Sequence, residues 1–426
     1  MKSAGKIVAV RARQVLDSRG NPTVEAEVMT GTSTGRASVP SGASKGKLEA
    51  LELRDGDKKQ FHGRGVSKAV NNVNRIIGPR LRGLECSDQV RVDRTMIGLD
   101  GTNNKSRLGA NAILAVSMAV ARTAANARAA SLFRQLRPSP SYTLPVPMMN
   151  VINGGEHAGN DLAIQEFLIE PVGADSCTEA IRMGTEVYQS LKEVLVSRYG
   201  RGAINVGDEG GFAPPLGKTR DALDAIRHAI TAAGYSENDV RIGMDAAAST
   251  FYDSQSSNYS LDGVSLDASR LEGFYAALRD EYDLLTLEDP FEENSFESFA
   301  SITRRLGKNT TIIGDDIYVT NVPLIRKGIK ARATNAVLIK LNQVGTVTET
   351  QNALELCARS KWEAVVSHRS GETEDSFIAH LATAYGVSFI KAGAPARGER
   401  IAKYNELLRI EEELGSKGRF AGRRFR

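Results

Sequence analysis

Cysteine is scarce in this sequence. The chain has 3 cysteines among 426 residues, Cys86, Cys177 and Cys357, and they lie far apart. An odd number at these spacings fits neither a disulfide framework nor a zinc site. We therefore expect a reducing compartment, and a cytoplasmic protein.

A long uninterrupted apolar run is also missing. The longest apolar region, Leu108 to Ala125, is broken by Asn111, Ser117 and Arg122, which is typical of a buried helix and not of a membrane span. The N-terminus, MKSAGKIVAVRARQ, contains no apolar core of signal-peptide length. We expect no membrane-spanning segment and no membrane partner.

Charge of one sign is not in excess either. The chain carries 55 basic and 51 acidic residues, a net charge of +4, and has no basic helix interleaved with aromatic residues. This balance does not indicate a nucleic-acid partner. The length suffices for two domains with a large core.

The N-terminal part has the pattern of a small α+β domain. Residues 6–39 alternate apolar and polar in three runs, which predicts a three-stranded antiparallel meander. Helical spacing follows at Val66 to Ile77 and at Leu108 to Ala130. The proline-rich stretch RPSPSYTLPVP, Arg137 to Pro147, then marks a junction. We place the domain boundary there, giving domains 1–137 and 138–426.

The second part has the rhythm of a β/α barrel. Six short apolar runs follow Val240, namely VRIGMD, LLTLED, TIIGDD, AVLIK, EAVVSH and SFIK. Amphipathic segments such as Leu271 to Tyr282 and Val347 to Ser360 lie between them. Repeated strand–helix units predict a parallel sheet closed into a (β/α)8 barrel of the TIM type. Two earlier strands, MMNVIN and AIQEFLIEP, have no helix between them, so we expect the barrel to begin with a hairpin.

Each of the six runs ends on a residue that can do chemistry. In such barrels the C-terminal strand ends meet at one open face, so these side chains should share a pocket. Asp245, Glu288 and Asp315 form an all-oxygen ligand set, which suits Mg²⁺ or Mn²⁺ better than zinc. The alternative is that single carboxylates cap helices or pair with lysines. Asp289 and Asp316 are interpreted as residues that orient the ligands.

Two lysines end strands in the same series. Lys340, facing a divalent cation, is expected to have a lowered pKa and to serve as a general base. Its alternative is a salt bridge to a ligand carboxylate. Lys391 is better interpreted as an anchor for an anion.

Several longer motifs resemble the enolase family. They are SHRSGETED at Ser367 to Asp375, GDEGG at Gly207 to Gly211 and NGGEHAGN at Asn153 to Asn160, with LDSRGNPTVE, LGANAILAVS, LRDGDK and AKYNELLRIEEELG elsewhere. The resemblance covers roughly residues 6 to 422. It implies a hydro-lyase that converts 2-phosphoglycerate to phosphoenolpyruvate with two Mg²⁺ per site.

The resemblance also implies roles for individual residues. Lys340 matches the base that takes the C2 proton, and Glu209 matches the acid that protonates the departing 3-hydroxyl. Glu166 matches a residue that assists the acid step. Asp245, Glu288 and Asp315 match the ligands of the tightly held cation, and Ser41 the loop residue that joins the second. The remaining predicted substrate contacts are His157, Gln165, His368, Arg369, Ser370 and Lys391.

Assembly and alternative functions follow from the same resemblance. The resemblance implies a homodimer with Glu25 and Arg409 paired across its interface, and octamers also occur in the family. Some members of the family are also found at cell surfaces, so a secondary cell-surface pool is a further expectation. Lys45 and Ala392 depart from the family pattern. The rival functions are another proton-abstracting member of the superfamily and a non-catalytic binding protein.

Overall fold

The computed structural model describes residues 4–42, 48–155 and 158–425. The predicted substrate contact His157 and the departure at Lys45 lie outside these ranges.

The N-terminal part is a three-stranded antiparallel sheet covered by helices, as predicted. Strand order is β1-β2-β3. Helix α4 packs on the sheet so closely that a Cβ on Gly35 would lie 2.3 Å from the amide of Thr123. The elements are β1 Ile7–Leu16, β2 Pro22–Thr30, β3 Thr34–Ser38, α1 Ser67–Asn72, a π-turn Val73–Ile77, α2 Gly78–Leu81, α3 Gln89–Asp100, α4 Ala110–Ala127 and α5 Leu132–Leu136.

The C-terminal part is a closed eight-stranded barrel, which confirms the predicted fold class. Around the barrel the order is β11-β12-β13-β14-β15-β5-β6-β7. The elements are β4 Tyr142–Leu144, β5 Val146–Asn153, β6 Glu166–Glu170, α6 Cys177–Tyr199, α7 Thr219–Ala232, β7 Arg241–Asp245, β8 Tyr252–Asp253, β9 Asn258–Leu261, β10 Val264–Leu266, α8 Ala268–Tyr282, β11 Thr286–Glu288, α9 Phe296–Leu306, β12 Thr311–Gly314, α10 Val322–Ala331, β13 Ala336–Ile339, α11 Leu341–Val344, α12 Val347–Arg359, β14 Glu363–Ser367, α13 Phe377–Tyr385, β15 Phe389–Lys391, α14 Gly398–Leu414 and β16 Gly418–Phe420.

The barrel begins with a hairpin, as expected from the missing helix between its first two strands. Strand β6 runs antiparallel to both of its neighbours, β5 and β7. Its first residue, Glu166, therefore lies at the end of the barrel where the parallel strands finish, opposite Asp245 in the register. The reversal brings the start of one strand to the face where the seven others end.

The N-terminal part lies against that same end of the barrel. Ser41 and Gly371 exchange backbone hydrogen bonds of 2.7 and 2.8 Å, and Ser18 donates from its amide to Glu372 O at 2.8 Å. Arg122 on α4 forms a 2.5 Å ion pair with Asp375. These contacts place the segment carrying Ser41 beside the loop after β14. The division near residue 138 stays a prediction.

No helix in the described ranges combines the length and apolar character that crossing a membrane requires.

The other end of the barrel holds a buried carboxyl group. Glu170 ends β6 with no exposed surface, and Thr286 Oγ1 donates to its Oε1 at 2.5 Å. Burial raises the pKa of Glu170 to about 8, against smaller lowering effects of Thr286 and Arg241. The folded chain therefore keeps a proton that the unfolded chain releases near pH ~4.3.

We expect Glu170→Gln to stabilise the chain increasingly as pH rises from about 5 to 8. Between these values the folded state of the parent binds more protons than the unfolded state, so its free energy of unfolding falls with pH. The slope is at most ~1.4 kcal/mol per pH unit, and it levels off above the folded pKa. Urea unfolding at pH 5, 6, 7 and 8 measures it.

The matched control is Glu355→Gln, which removes a carboxylate from a surface pair with Arg359. A constant difference between parent and Glu170→Gln across this pH range would contradict the account.

Candidate active site

The C-terminal strand ends of the barrel converge on one cavity. Asp245, Glu288 and Lys391 are the last residues of β7, β11 and β15. The predicted site residues that line the cavity are Gln165, Glu166, Glu209, Asp245, Asp315, Lys340, His368, Arg369, Ser370 and Lys391. They come from the ends of several strands and the loops beside them, so the barrel closure and not the sequence order alone brings them together.

The Lys391 ammonium lies among three carboxylates. Its Nζ is 2.8 Å from Asp245 Oδ2, 3.0 Å from Glu288 Oε2 and 3.1 Å from Glu166 Oε2. Burial alone would lower the pKa of Lys391, but Asp245, Glu166 and Glu288 together hold it well above its ordinary value. The resulting ammonium neutralises only part of the charge around it.

Two of these carboxyl groups are pushed toward the protonated form. Burial, and next the neighbouring Asp245 charge, raise the pKa of Glu288 well above its usual range. Burial, and next the Glu209 charge, raise the pKa of Glu166 in the same way. Like charges held together in a site of low dielectric constant have this effect. The cavity therefore has more acidic groups than its cationic side chains can stabilise in the ionised form.

Lys340 forms a salt bridge with Asp315. This is the alternative to a free base that the sequence left open. Burial is the largest effect and lowers the pKa of Lys340, yet the carboxylates around it, Asp315 foremost and Glu288 next, leave that pKa raised. A lowered pKa is expected for a Lys340 that faces a divalent cation, and it stays a prediction; with a carboxylate as the direct partner of the ammonium, the pKa is raised instead. Gln343 Nε2 also donates to Asp315 Oδ1, at 3.0 Å.

Asp289 orients the segment that follows β12. Its two oxygens accept the amides of Asp315 and Asp316 at 2.9 and 2.8 Å. It does so from a left-handed backbone conformation, with φ of 39°. Burial and then the Asp315 charge raise the pKa of Asp316 to about 7.

The three predicted ligands are divided between two ammonium groups, Lys391 and Lys340. Within the described residues, the carboxylates whose oxygens lie within 4.8 Å of one another are Asp289, Asp315 and Asp316. Both oxygens of Asp289 accept backbone amides, whereas among the described residues Asp245 accepts one only on Oδ1, so Asp289 is less suited to bind a cation.

The donor set fits a hard divalent cation. The carboxylates at this end of the barrel are Glu166, Glu209, Asp245, Glu288, Asp289, Asp315 and Asp316, and those of Glu166, Asp245 and Glu288 share one ammonium. Oxygen ligands in such excess over positive charge are what Mg²⁺ and Mn²⁺ prefer.

Glu209 faces His368 across the cavity. Glu209 Oε2 is 3.3 Å from His368 Nε2 and accepts a 3.2 Å hydrogen bond from Asn150 Nδ2. Burial lowers the pKa of His368 to about 3, even though the Glu209 charge opposes that shift. His368 is therefore neutral at ordinary pH.

Arg369 is held by a carboxylate from the N-terminal part. Its Nη1 lies 3.1 Å from Glu49 Oε2 and donates to Asn342 Oδ1 at 2.9 Å. Ser370 follows it in the loop after β14 and is also buried. An anion that binds Arg369 must therefore compete with the Glu49 carboxylate.

Ser41 is buried at the edge of this region. Its Oγ donates to Glu52 Oε2 at 3.2 Å and accepts from Arg54 Nη2 at 3.0 Å. These partners hold its side chain beside Glu52 and Arg54, its backbone pairs with Gly371, and Ser41 is not among the described residues that line the cavity.

Three further residues act on the site without having been predicted from the sequence. Asn150 is a buried amide in the apolar strand VPMMNVIN, and such an interruption is a signal that the sequence offers. Gln343 lies three residues after Lys340, at the end of the run LIKLNQ. Glu49 lies in a segment with neither helical nor strand periodicity. Its contact with Arg369 arises only because the N-terminal part packs on the barrel.

Comparison with known proteins agrees with the geometry. Residues 7–136 match the family model of the enolase N-terminal domain, and residues 141–426 that of the enolase C-terminal TIM barrel domain.

Curated relatives named enolase match along nearly their whole length. The enolase of Methanocaldococcus jannaschii is 56% identical over 99% of this chain and 98% of its own. That of Methanothrix thermoacetophila is 55% identical over 98% and 99% of the two chains. That of Thermococcus gammatolerans is 52% identical over 100% and 99%. The chain therefore belongs to the enolase family and is a hydro-lyase, a phosphopyruvate hydratase.

Proposed function

We propose that this chain removes water reversibly from 2-phosphoglycerate to give phosphoenolpyruvate, with Lys340 as base and Glu209 as acid. The observation that carries the proposal is the convergence of a lysine, a pair of carboxyl groups and an arginine on one cavity at the barrel end. An elimination needs a base for the C2 proton and an acid for the leaving hydroxyl, and an anionic substrate needs a cationic anchor.

Lys340 takes the proton from C2 of the substrate. Its neutral form accepts that proton on Nζ as the C2–H bond breaks, which leaves negative charge on the substrate carboxylate. The geometry that supports this role is its place beside Asp315 in the cavity, where no other described lysine except Lys391 lies.

Glu209 gives its proton to the 3-hydroxyl, which departs as water while the C2–C3 double bond forms. Glu166 assists because burial and then the neighbouring Glu209 charge raise its pKa and favour its protonated form. A protonated carboxyl group at neutral pH is what the departing hydroxyl requires.

Asp245, Glu288 and Asp315 would hold one Mg²⁺, and Ser41 would contribute to a second. A bound cation would occupy the carboxylates that now raise the pKa of Lys340, and would stabilise the extra negative charge that proton removal creates. Asp289 keeps the Asp315 segment in place through two backbone hydrogen bonds.

Arg369 and Ser370 would bind the substrate phosphate, and Lys391 its carboxylate end, together with Gln165 and His157. The guanidinium of Arg369 presents two donors to one anion, which suits phosphate. Glu49 must leave Arg369 when the phosphate binds.

We further propose a homodimer, or an octamer built from dimers, in the cytoplasm, with domains 1–137 and 138–426. One face carries a groove of about 570 Å³ lined by Glu25, and a neighbouring groove lined by Arg409. The two grooves share Glu374, Ser376 and Gly398, so opposite charges lie side by side as a two-fold interface requires.

Separating proton removal from dehydration tests the two roles. Lys340→Ala should lose both dehydration and exchange of the C2 proton with deuterated solvent, by ~100-fold or more. Glu209→Gln should lose dehydration by a similar factor and keep exchange, because proton removal precedes the acid's step.

Exposed Lys308 offers the control, since Lys308→Ala removes a lysine far from the cavity. Full exchange in Lys340→Ala would refute its assignment as base.

Metal dependence is tested by activity and by thermal unfolding. Chelation should abolish activity, Mg²⁺ should restore it, and Mg²⁺ should raise the melting temperature of the parent because it binds the folded state. Asp245→Asn should weaken both effects at least ~10-fold in Mg²⁺ concentration. Asp280→Asn, at a position 73% exposed, is the control. Undiminished turnover in excess chelator would contradict the proposal.

Assembly is tested by light scattering at micromolar concentration, where at least two chains per particle are expected. Arg409→Glu should shift the mass toward one chain, because Arg409 is 67% exposed in the single chain and its predicted partner is Glu25. A fully active parent of single-chain mass would exclude the dimer.

A further inference from the structure

Arg400, in the first turn of α14, is fully buried and lies outside the set of residues that line the cavity. Its Nη1 contacts His368 Nδ1 at 2.7 Å and donates to Arg369 O at 2.7 Å. Its Nη2 donates to Ser370 O at 2.6 Å and to Asp208 O at 2.9 Å. A buried guanidinium with this many acceptors is fixed in one geometry.

These acceptors belong to two segments of the site. His368, Arg369 and Ser370 form the loop after β14, whereas Asp208 precedes Glu209 in the turn that carries the acid. One side chain thus ties the proposed phosphate loop to the proposed acid.

The contact with His368 determines which ring nitrogen carries the proton. A guanidinium has donors and no acceptor, so Nδ1 of His368 must be the unprotonated nitrogen. In a neutral imidazole the proton then lies on Nε2. That nitrogen is the one 3.3 Å from Glu209 Oε2.

The Nε2–H group in turn orients Glu209. Its Oε2 faces this donor and accepts from Asn150 Nδ2 at 3.2 Å. In a protonated carboxyl group only one oxygen carries the proton. Asn150 Nδ2 at 3.2 Å and His368 Nε2 at 3.3 Å both lie beside Oε2, which favours Oε2 as the carbonyl oxygen. The proton of the acid is therefore directed to Oε1.

The backbone around Arg400 leaves room for its stem. Gly393 has φ of +84°, and a Cβ there would lie 2.8 Å from Arg400 Cδ and 2.8 Å from Glu209 O. Arg397, with φ of 68°, donates to Gly207 O at 3.0 Å on the other side of the acid turn. A left-handed non-glycine residue costs of order 1–3 kcal/mol and persists where its surroundings require it.

We propose that Arg400 is a positioning residue for the elimination: it holds His368 as the Nε2–H tautomer, and that N–H group orients Glu209 so that its acidic proton points to the leaving hydroxyl. The inference rests on the proposed role of Glu209 as acid. Arg400 acts through His368 and touches no reacting atom.

The test combines a spectroscopic and a kinetic measurement on the full-length Arg400→Lys and Arg400→Met variants. Nitrogen-15 spectra of histidine-labelled protein report the tautomer, and with 5 histidines in the chain a His368→Gln sample assigns the resonance. The parent should show His368 with Nδ1 unprotonated, and Arg400→Met a mixture of tautomers. In Arg400→Met the rate of dehydration should fall ~10- to 100-fold, while the rate of C2 proton exchange, which depends on Lys340, should fall less than ~3-fold. Arg400→Lys, which keeps a donor, should retain more of both the tautomer and the dehydration rate.

Tyr404→Phe supplies a control of similar structural cost. It removes a 2.5 Å buried hydrogen bond to Gly393 O from the same helix, without contact to His368. It should lower stability and leave the tautomer and the ratio of exchange to dehydration unchanged.

Two results would overturn the proposal: an unchanged tautomer in Arg400→Lys and Arg400→Met, or equal losses of exchange and dehydration in them. If Arg400→Met does not fold, Arg400→Lys decides through the ratio of exchange to dehydration: a larger loss of dehydration supports the proposal, and equal losses overturn it. Normal dehydration by Glu209→Gln would instead overturn the role of Glu209, and the tautomer measurement distinguishes that failure from one at Arg400.

Discussion

The end of the barrel must hold several buried carboxylates close to one another, and the rest of the site depends on this constraint. Two like charges 4 Å apart repel by ~4 kcal/mol at an effective dielectric constant of ~20. Asp245, Glu288 and Glu166 reduce that repulsion by sharing the Lys391 ammonium, and burial with the remaining repulsion raises the pKa of Glu166 and Glu288. Such a cluster attracts cations and favours the protonated forms of Glu166 and Glu288, and both properties are useful to a dehydratase.

The fold supports this cluster from outside as well as from within. Backbone amides orient Asp289, and the N-terminal part supplies Glu49 to Arg369 and a paired strand segment at Ser41. On the opposite side Arg400 bonds to both loops that carry proposed acid and phosphate contacts. The geometry of the proposed site is therefore set by side chains and backbone groups of the barrel, of the N-terminal part and of helix α14.

Much of this arrangement could be predicted from the sequence. The strand ends at Asp245, Glu288 and Lys391 follow from short apolar runs, because a parallel barrel brings all such ends to one face. The opening hairpin followed from a missing helix. Two helices were not predicted, Gln89–Asp100 and Thr219–Ala232, although the apolar residues of the second recur at helical spacing.

Other features depend on partners that are distant in sequence. Arg400 occupies a helix turn in which an arginine is normally solvated, and nothing in GERIAKYNELLRI indicates its burial. The raised pKa of Lys340 depends on its contact with Asp315, which is made 25 residues away and only after the barrel closes. Glu49 pairs with Arg369 at a separation of 320 residues. Long-range packing decides such contacts, and local patterns do not report them.

The most direct test of the central claim is the position of a bound cation, measured by the anomalous scattering of Mn²⁺ in a crystal of this protein. The account predicts a peak coordinated by Asp245, Glu288 and Asp315, with Lys391 Nζ and Lys340 Nζ moved away from those oxygens. A single peak held by Asp289, Asp315 and Asp316, the carboxylates that cluster within 4.8 Å, would contradict it, as would a crystal in saturating Mn²⁺ with no peak at this end of the barrel.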